Sequence, residues 1–308
     1  MGKPKISIVI TLYNLGSFIT ECINSIGDFD KDEVEVIIVN DGSTEEDTLK
    51  VLDSLRTRND INILDQENGG VANARNNGIL MAKSDYILSV DADNLITQDY
   101  YLKGIELLDA QPSVGAVYSD VIVFGEKEER RKLSDFNPNV FFGVNYIDNC
   151  ALFRKSIWES IGGYDEKMPI SGYEDWDFWM GVYESGYQLI HIPEFLFHYR
   201  VRKNSMITDT NESENRLANL SYLINKHNKS YKKHGTEVLI HLTKNVSELE
   251  NELVQSVEYS KQVSDERLNL LDELEQSVTY SEQVIEEKNR ISQQLEHSNR
   301  TNFKLQIH

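Results

Sequence analysis

The stretch EVEVIIVNDGSTEEDTLKVLDSLRTR, residues 33–58, decides the fold class of this chain. Its first part is an apolar, β-branched run of the kind found in strands buried on both faces, and it ends in the turn residues Asp41, Gly42 and Ser43. Its second part, from Thr44, has the pattern of an amphipathic helix. A buried strand followed directly by such a helix predicts one βα unit of a parallel sheet.

The same alternation of strand and helix surrounds this stretch. Strand patterns cover residues 5–12, 61–66 and 85–93, and helix patterns cover residues 18–26 and 70–83. Together they predict a parallel sheet with helices on both faces. In such sheets ligands bind at the carboxyl ends of the strands. Asp41, Asp91 and Asp93 all fall at such ends, so we expect them at the mouth of a site.

The second half of the chain has a different character. Residues 113–125 are strand-rich, and a mixture of loop and helix follows up to residue 187. From about residue 212 the sequence is helical and charged.

Composition excludes several classes of protein. The net charge of −20 disfavours a nucleic-acid binder, which needs clustered Lys and Arg. Cys22 and Cys150 have no CxxC or Cys/His spacing, which indicates reduced thiols in a cytoplasmic chain. We find no secretory signal pattern and no apolar run of about 18 residues. The basic stretch 224–235 could meet anionic lipid at the inner face of a membrane or could be a solvated face.

The pair Asp91 and Asp93 suggests a metal site. Two carboxylates at a strand-to-loop bend can hold a hard divalent cation that keeps places for water and substrate phosphates. An acidic turn or helix cap is the alternative interpretation. The chain has no GxGxxG after its first strand and no GxxxxGK[ST], so we expect phosphate to be met by metal, Mg²⁺ or Mn²⁺, rather than by a P-loop.

A second acidic cluster begins at residue 174. Glu174 and Asp175 stand beside Trp176 in EDWDFW, at the start of a predicted helix. A carboxylate against apolar rings has its charged form desolvated, which raises its pKa toward that of a general base. Aromatic faces also suit sugar rings. The alternative is a helix start with buried tryptophans.

Six motifs carry a family resemblance: ISIVITLYN, VNDGSTE, ENGGVANARNNGI, VDADN, GGYDE and YEDWDFW, in this order over roughly residues 5–210. As a set they resemble the inverting family 2 glycosyltransferases with the GT-A fold. The resemblance implies a Rossmann-like nucleotide-binding half and a mixed acceptor half.

The resemblance also implies roles for residues. The nucleotide-contacting set is Thr11, Tyr13, Asp41, Gly70, Arg75, Asn76 and Asp91. The implied metal ligands are Asp93 and Asp91, with His198 as a further ligand. The implied catalytic base is Asp175, with Glu174 beside it. The implied sugar- or acceptor-binding residues are Trp176 and Asn149. Three alternatives stay open: Asp41 as an N-cap, Arg75 in a surface salt bridge and His198 as a structural histidine.

The expected activity follows from the resemblance. We expect metal-dependent transfer of a hexosyl or N-acetylhexosaminyl group, with inversion, from a UDP-sugar to a hydroxyl of a glycan or lipid-linked acceptor. Synthesis of a bacterial surface polysaccharide is the expected pathway. The alternatives are a nucleotidyltransferase, disfavoured because TLYNLGSF has no basic residue, and a catalytically silent head on a scaffold.

The C-terminal tail contains an internal repeat. Residues 252–270 recur as residues 273–291, an offset of three heptads, and a third copy begins at QLEHSN. Leu253 and Leu274 take a positions and Leu249 and Leu270 take d positions of a coiled coil with weak polar layers.

This pattern predicts a homo-oligomer, dimer or trimer. We therefore expect three segments: a catalytic domain at 1–210, a helical linker at 211–241 and a coiled-coil oligomerisation segment at 242–308. A repeat that stops within its third copy suggests a fragment of a longer protein.

Overall fold

The computed structural model describes residues 2–203 and 213–305, with side chains described for residues 2–203 and 214–294. The chain divides into two units, Met1–His241 and Leu242–His308. The expected boundary between residues 210 and 211 and the side chains of the third repeat copy beyond residue 294 lie outside the described residues.

The first half of unit one is the predicted run of βα units. Its strands are β1 (Ile6–Leu12), β2 (Val34–Asp41), β3 (Ile61–Gln66) and β4 (Tyr86–Asp91), and its helices are α1 (Gly16–Ser25), α2 (Glu46–Leu55) and α3 (Val71–Met81). The four strands are parallel in the order β3-β2-β1-β4, which confirms the sequence prediction. Since the strands are parallel, the residues that follow β1, β2 and β4 lie at one edge of the sheet.

The second half extends the same sheet with mixed directions. Its elements are β5 (Leu95–Ile96), α4 (Gln98–Ala110), β6 (Val114–Gly125), β7 (Glu129–Arg131), α5 (Pro138–Phe141), β8 (Leu152–Arg154), α6 (Lys155–Ile161), α7 (Glu174–Glu184) and β9 (Gln188–Val201). β8 runs antiparallel to β4 and β6, β6 is parallel to β9, and β5 pairs antiparallel with β9. The described residues thus form one nine-stranded mixed sheet.

Two apolar layers cover the sheet because side chains alternate between its faces. In β1, Ile8 and Ile10 belong to the layer that holds α1 and α2, whereas Val9 belongs to the layer that holds α3 and α7. The second layer contains the fully buried Trp179 and Phe178 of α7. Helix α7 is therefore anchored by its aromatic side chains.

Two helices follow, α8 (Ser213–Lys226) and α9 (Asn228–Leu305). The two units divide between residues 241 and 242, where we expected the coiled-coil segment to begin. Residues 213–241 belong to unit one, where Leu223 and Asn219 are fully buried and Val238 is buried as well. This segment packs on the first unit because it supplies apolar side chains to the layer around α7.

Unit two consists of helix α9 from Leu242 onward. Leu249, Leu253, Leu270 and Leu274 are 60–65% exposed on it. The long helix agrees with the prediction, and the coiled coil stays a prediction. Within the described ranges, none of the helices combines the length and apolar character that a membrane span requires.

Candidate active site

A cavity of about 900 Å³ opens at the carboxyl ends of β1, β2 and β4. Ten of the side chains or backbone segments that the sequence assigned to a site line it: Thr11, Tyr13, Asp41, Gly70, Arg75, Asp91, Asp93, Asn149, Glu174 and Asp175. Trp176 and His198 are not among the lining residues. The cavity thus joins the ends of the parallel strands to the start of α7.

Asp41 ends β2 and holds the turn before α3. Its carboxylate accepts hydrogen bonds from the backbone N–H of Gly69 at 2.7 Å and of Gly70 at 3.0 Å, and from the amide of Gln66 at 2.8 Å. Gly70 has φ +84°, a conformation that glycine adopts without strain. A carboxylate has about four acceptor positions, so Asp41 retains capacity for a ligand at the cavity surface.

The N-cap alternative for Asp41 does not hold. The side-chain oxygen of Asn14 accepts hydrogen bonds from the backbone N–H of Thr44 at 2.8 Å and of Glu45 at 3.0 Å, next to the start of α2. Asn14 has φ +53°, which asparagine tolerates better than most residues. Asn14 also lines the cavity beside Tyr13, whose ring is 47% exposed and offers a face to a planar group.

Arg75 and Asp91 form a buried ion pair rather than a surface salt bridge. A terminal nitrogen of Arg75 lies 2.9 Å from Oδ1 of Asp91, and the arginine side chain is 7% exposed. The hydroxyl of Thr11 donates to the same oxygen at 3.2 Å. Burial disfavours the charge of Arg75, but Asp91 raises the pKa of the guanidinium, which stays protonated.

Asn76 has a structural role instead of the expected nucleotide contact. Its side-chain oxygen accepts from the backbone N–H of Tyr164 at 2.8 Å and from the indole of Trp158 at 3.0 Å. Its amide donates to the carbonyl of Tyr164 and to Glu166. Asn76 therefore ties α3 to the loop after α6, because the helix turns this side chain away from the cavity.

Asp93 is buried and paired with arginine. Nε of Arg202 donates to its carboxylate, and Nε of Arg200 donates to its backbone carbonyl at 2.9 Å. Burial and the charge of Asp91 raise the pKa of Asp93, while Arg202 lowers it. Arg200 lies over the rings of Phe18 and Phe124, which hold it at this edge.

The donor set fits a divalent cation only together with substrate. In the described ranges, no group of three or more His, Cys, Asp or Glu side chains is arranged to hold a metal ion. Asp91 and Asp93 nevertheless share the cavity wall. Cations of the magnesium type take one or two protein carboxylates and fill the other positions with water and substrate phosphates. The two aspartates match that requirement.

His198 does not join this pair. It lies in β9 opposite Leu95 of β5, with its ring 6.3 Å from that of Phe124, and burial lowers its pKa. The cavity lining begins at Tyr199 and continues with Arg200 and Arg202, so His198 lies just before the segment that reaches the cavity. The structure therefore favours the structural interpretation of this histidine.

Two carboxylates at the start of α7 also line the cavity. Asp175 is half-buried and accepts a hydrogen bond from the amide of Asn145 at 3.2 Å. Glu174 is 3% exposed and accepts from the backbone N–H of Gly172 at 2.7 Å. Burial, followed by the charge of Asp148, raises the pKa of Asp175 to about 8. A carboxyl with this pKa is suited to act as a base near neutral pH.

Asp148 is a cavity residue that the sequence analysis missed. Burial and the charge of Asp91 raise its pKa to about 7. Its carboxylate accepts from the backbone N–H of Cys150 at 2.8 Å, a local turn contact. The aspartate follows no strand pattern and belongs to no quoted motif, so nothing in the sequence marked it.

The expected role of Trp176 needs correction, and that of Asn149 stays a prediction. The side chain of Trp176 is 3% exposed, and its indole donates to the carbonyl of Phe141 at 2.9 Å, because consecutive helical residues point about 100° apart and Trp176, unlike Glu174 and Asp175, faces away from the cavity. Asn149 lines the cavity, but its amide donates to Ser89 and its oxygen accepts from Tyr164. Its polar atoms are used within the protein.

Comparison with known sequences identifies relatives. The model of glycosyl transferase family 2 matches residues 7–177, more than half of the chain. The glycosyltransferase GlyA of Streptococcus pneumoniae is 26% identical over 259 residues, which cover 72% of this chain and 36% of GlyA. The poly(ribitol-phosphate) β-N-acetylglucosaminyltransferase TarS of Staphylococcus aureus is 32% identical over 127 residues, covering 40% of this chain and 21% of TarS. The chain thus spans about a third or less of these proteins.

Solved structures show the same fold. TarS residues 1–349 in complex with UDP-GlcNAc superimpose with a TM-score of 0.60 at 17% identity, over 76% of this chain and 72% of that one. The mannosyltransferase PcManGT of Pyrobaculum calidifontis, in complex with GDP-Man and Mn²⁺, gives a TM-score of 0.59 at 20% identity, over 78% and 71%. At these identities the likeness establishes the GT-A fold alone.

Proposed function

This chain belongs to glycosyl transferase family 2, and we propose that it transfers a sugar, with inversion, from a nucleotide-diphosphate donor to a hydroxyl of an acceptor. One observation supports the proposal: a single cavity is lined by Asp41, Arg75 and Asp91 from the parallel half and by Asp175 from the start of α7. A donor bound at the ends of the parallel strands would therefore share one cavity with the carboxylate of Asp175.

The proposed reaction uses Asp175 as the base. Asp175 accepts the proton of the acceptor hydroxyl, whose oxygen attacks the anomeric carbon from the face opposite the nucleotide. The new glycosidic bond forms as the bond to the diphosphate breaks, so the configuration inverts. Arg200 and Arg202 line the same cavity beside Asp93, where they can neutralise the leaving diphosphate. Asn145 orients the base through its hydrogen bond.

A divalent cation, Mn²⁺ or Mg²⁺, is the proposed cofactor. Asp93 and Asp91 would hold it, and the bound cation supplies charge neutralisation for the diphosphate. The Mn²⁺ in the PcManGT structure supports the proposal.

We propose a UDP-sugar as donor and a glycan or lipid-linked hydroxyl as acceptor. The UDP-GlcNAc in the TarS structure supports the uridine nucleotide and an N-acetylhexosaminyl group over other hexosyl groups. The polymer acceptor in the name of TarS supports a polymeric acceptor, as in the synthesis of a bacterial surface polysaccharide.

Nucleotide-sugar hydrolysis tests the function, with water in place of the unidentified acceptor. We expect the full chain to release UDP from one of UDP-GlcNAc, UDP-glucose or UDP-galactose in the presence of Mn²⁺. EDTA should stop the release, and Asp175→Asn should reduce it. Failure to hydrolyse these donors or GDP-mannose would favour the silent head, and pyrophosphate release from a nucleoside triphosphate would favour a nucleotidyltransferase.

We also propose that unit two joins copies of the chain as a dimer or trimer. The exposed leucines at the a and d positions support this, since a helix that leaves them in water gains by burying them against another copy. Light scattering of the full chain tests it. Leu270→Lys places a charge at a d position of the seam and should yield monomers. Leu268→Lys makes the same change at a b position, outside the seam, and should not. A monomeric wild type at micromolar concentration would refute the proposal.

A further inference from the structure

Residues 213–241, which we call the brace, pack against helix α7 and the loop before it. That loop, residues 162–173, contributes Ser171 and Gly172 to the cavity and leads directly into Glu174 and Asp175. The position of the proposed base therefore depends on what holds the loop and α7 in place.

The first contact is between Asn219 of the brace and the backbone of Ile170. The side-chain oxygen of Asn219 accepts from the N–H of Ile170 at 3.0 Å, and its amide donates to the carbonyl of Ile170 at 2.7 Å. Asn219 is fully buried. The pair of bonds mimics strand pairing and fixes the loop two residues before Gly172.

The second contact fixes the start of the loop from two sides. On the brace side, Tyr222 and Lys226 donate to Asp165 at 2.7 and 2.6 Å. On the side of α3, Asn73 and Asn76 donate to Glu166 at 3.2 and 2.8 Å. The loop is therefore held between the nucleotide half and the brace.

The third contact reaches α7 itself. Asp177, two residues after the proposed base and 4% exposed, lies 2.8 Å from Nζ of Lys226 and 2.9 Å from Nε2 of His227. The other ring nitrogen of His227 lies 2.8 Å from Glu184 at the end of α7. The hydroxyl of Ser230 also donates to Glu184. The brace thus holds both ends of this helix.

We infer that Asn219 and His227 are positioning residues that hold the base Asp175 against the donor. The inference rests on the proposed function. Neither residue lines the cavity, so each acts through the loop or through α7. A displacement of about 1 Å at a reacting group can reduce the rate about 10²-fold. Loss of either contact should therefore lower turnover without altering Asp41, Arg75 and Asp91, which are proposed to contact the nucleotide.

The test uses the full chain with two matched asparagine substitutions on the same helix. Asn219→Ala removes both bonds to Ile170, and Asn225→Ala removes an exposed amide. We expect Asn219→Ala to lower kcat for UDP-GlcNAc hydrolysis about tenfold or more, with the Kd for UDP within twofold of wild type. Asn225→Ala should leave both unchanged. His227→Gln should also lower kcat with an unchanged Kd for UDP. This second variant tests the inference if Asn219→Ala fails to fold.

Hydrogen exchange over residues 165–177 provides a readout besides activity. We expect faster exchange there in Asn219→Ala than in wild type, and not in Asn225→Ala. A folded Asn219→Ala protein with wild-type kcat, or with exchange unchanged, overturns the inference, as does a loss of UDP affinity in proportion to kcat. A wild type that hydrolyses none of the donors refutes the proposed function instead, whatever the exchange shows.

Discussion

Nε of Arg202 donates a hydrogen bond to Oδ2 of Asp93, so the protein supplies its own counterion to the proposed metal ligand. The arginine is 30% exposed and the aspartate 11%. A cation that binds with a diphosphate would replace Arg202 as the partner of the Asp93 carboxylate, and the guanidinium of Arg202 could then contact the phosphates. Metal and nucleotide binding should therefore depend on each other.

Asp93→Asn tests that dependence. The substitution keeps the shape of the side chain and removes its charge, so we expect Mn²⁺ to no longer strengthen UDP binding and Mn²⁺-dependent hydrolysis to fall to background. Titration calorimetry with UDP, with and without Mn²⁺, measures the first effect. Asp99→Asn, at an exposed position of α4, is the control. Wild-type hydrolysis that survives EDTA would contradict the prediction.

Asp175→Asn tests the base. The amide cannot accept the acceptor's proton, so turnover should fall by roughly 10²-fold or more while UDP affinity stays nearly unchanged. Glu174→Gln should lower turnover less than Asp175→Asn does, because glutamine retains an oxygen that can accept from the N–H of Gly172. Measuring the steady-state hydrolysis rate and the UDP affinity of both variants shows which of the two carboxylates is the base. An active Asp175→Asn beside an inactive Glu174→Gln would reverse the two roles.

The pH dependence of turnover should report the environment of Asp175. A base must be deprotonated to act, so kcat should rise with pH through about 8, the pKa that burial and then Asp148 set. Asp148→Asn removes a neighbouring negative charge and should lower the pKa of Asp175, which moves the midpoint to lower pH. Rate profiles between pH 6 and 10 measure the shift. A midpoint that stays or moves upward would show that Asp148 does not act on the base.

Truncation should separate the brace from unit two. A chain that ends at residue 241 keeps the buried Leu223 and Val238, so it should stay folded and hydrolyse the donor. A chain that ends at residue 212 loses these side chains and the contacts to Asp165, Ile170 and Asp177, so it should be inactive. Thermal melting and hydrolysis of both chains measure the difference. Equal activity would mean that residues 213–241 are dispensable.

The parallel half and its carboxylates were predictable from the sequence because strand burial leaves a local pattern. Apolar runs that end in Asp41 or Asp91 determine both the strand and the edge at which its carboxylate lies. The start of α7 was also predictable, since acidic residues in the first turn of a helix with apolar aromatic residues leave a local pattern as well.

The remaining features depend on contacts between distant residues. The direction of Trp176 depends on which face of the helix meets the core, and a short motif does not specify that face. The packing of residues 213–241 was not predictable because polar and charged partners, such as Asn219 with Ile170, replace part of the apolar stripe. Asp148 lies in a loop, where no periodic pattern applies.

His227 should make the stability of the protein depend on pH. Burial alone would lower its pKa, but hydrogen bonds to Asp177 and Glu184 outweigh burial and raise it from 6.5 to about 9. A folded pKa above the unfolded one means that the proton stabilises the fold. The contribution is fully present below about pH 6.5 and is lost as pH rises through about 9.

Urea unfolding of wild type and His227→Gln at pH 6.5 and pH 10 measures this contribution. The difference in unfolding free energy between the two proteins should be on the order of 1–3 kcal/mol at pH 6.5 and should approach its uncharged value at pH 10. Asp148 and Asp175, whose raised pKa values also reduce stability as pH rises, are common to both proteins and cancel in the difference. Asp177→Asn should flatten the same dependence, because it removes one of the two carboxylates that hold the proton on His227. A difference that is constant with pH would mean that His227 is neutral in the folded protein, and that the brace holds α7 through hydrogen bonds without the histidine's charge.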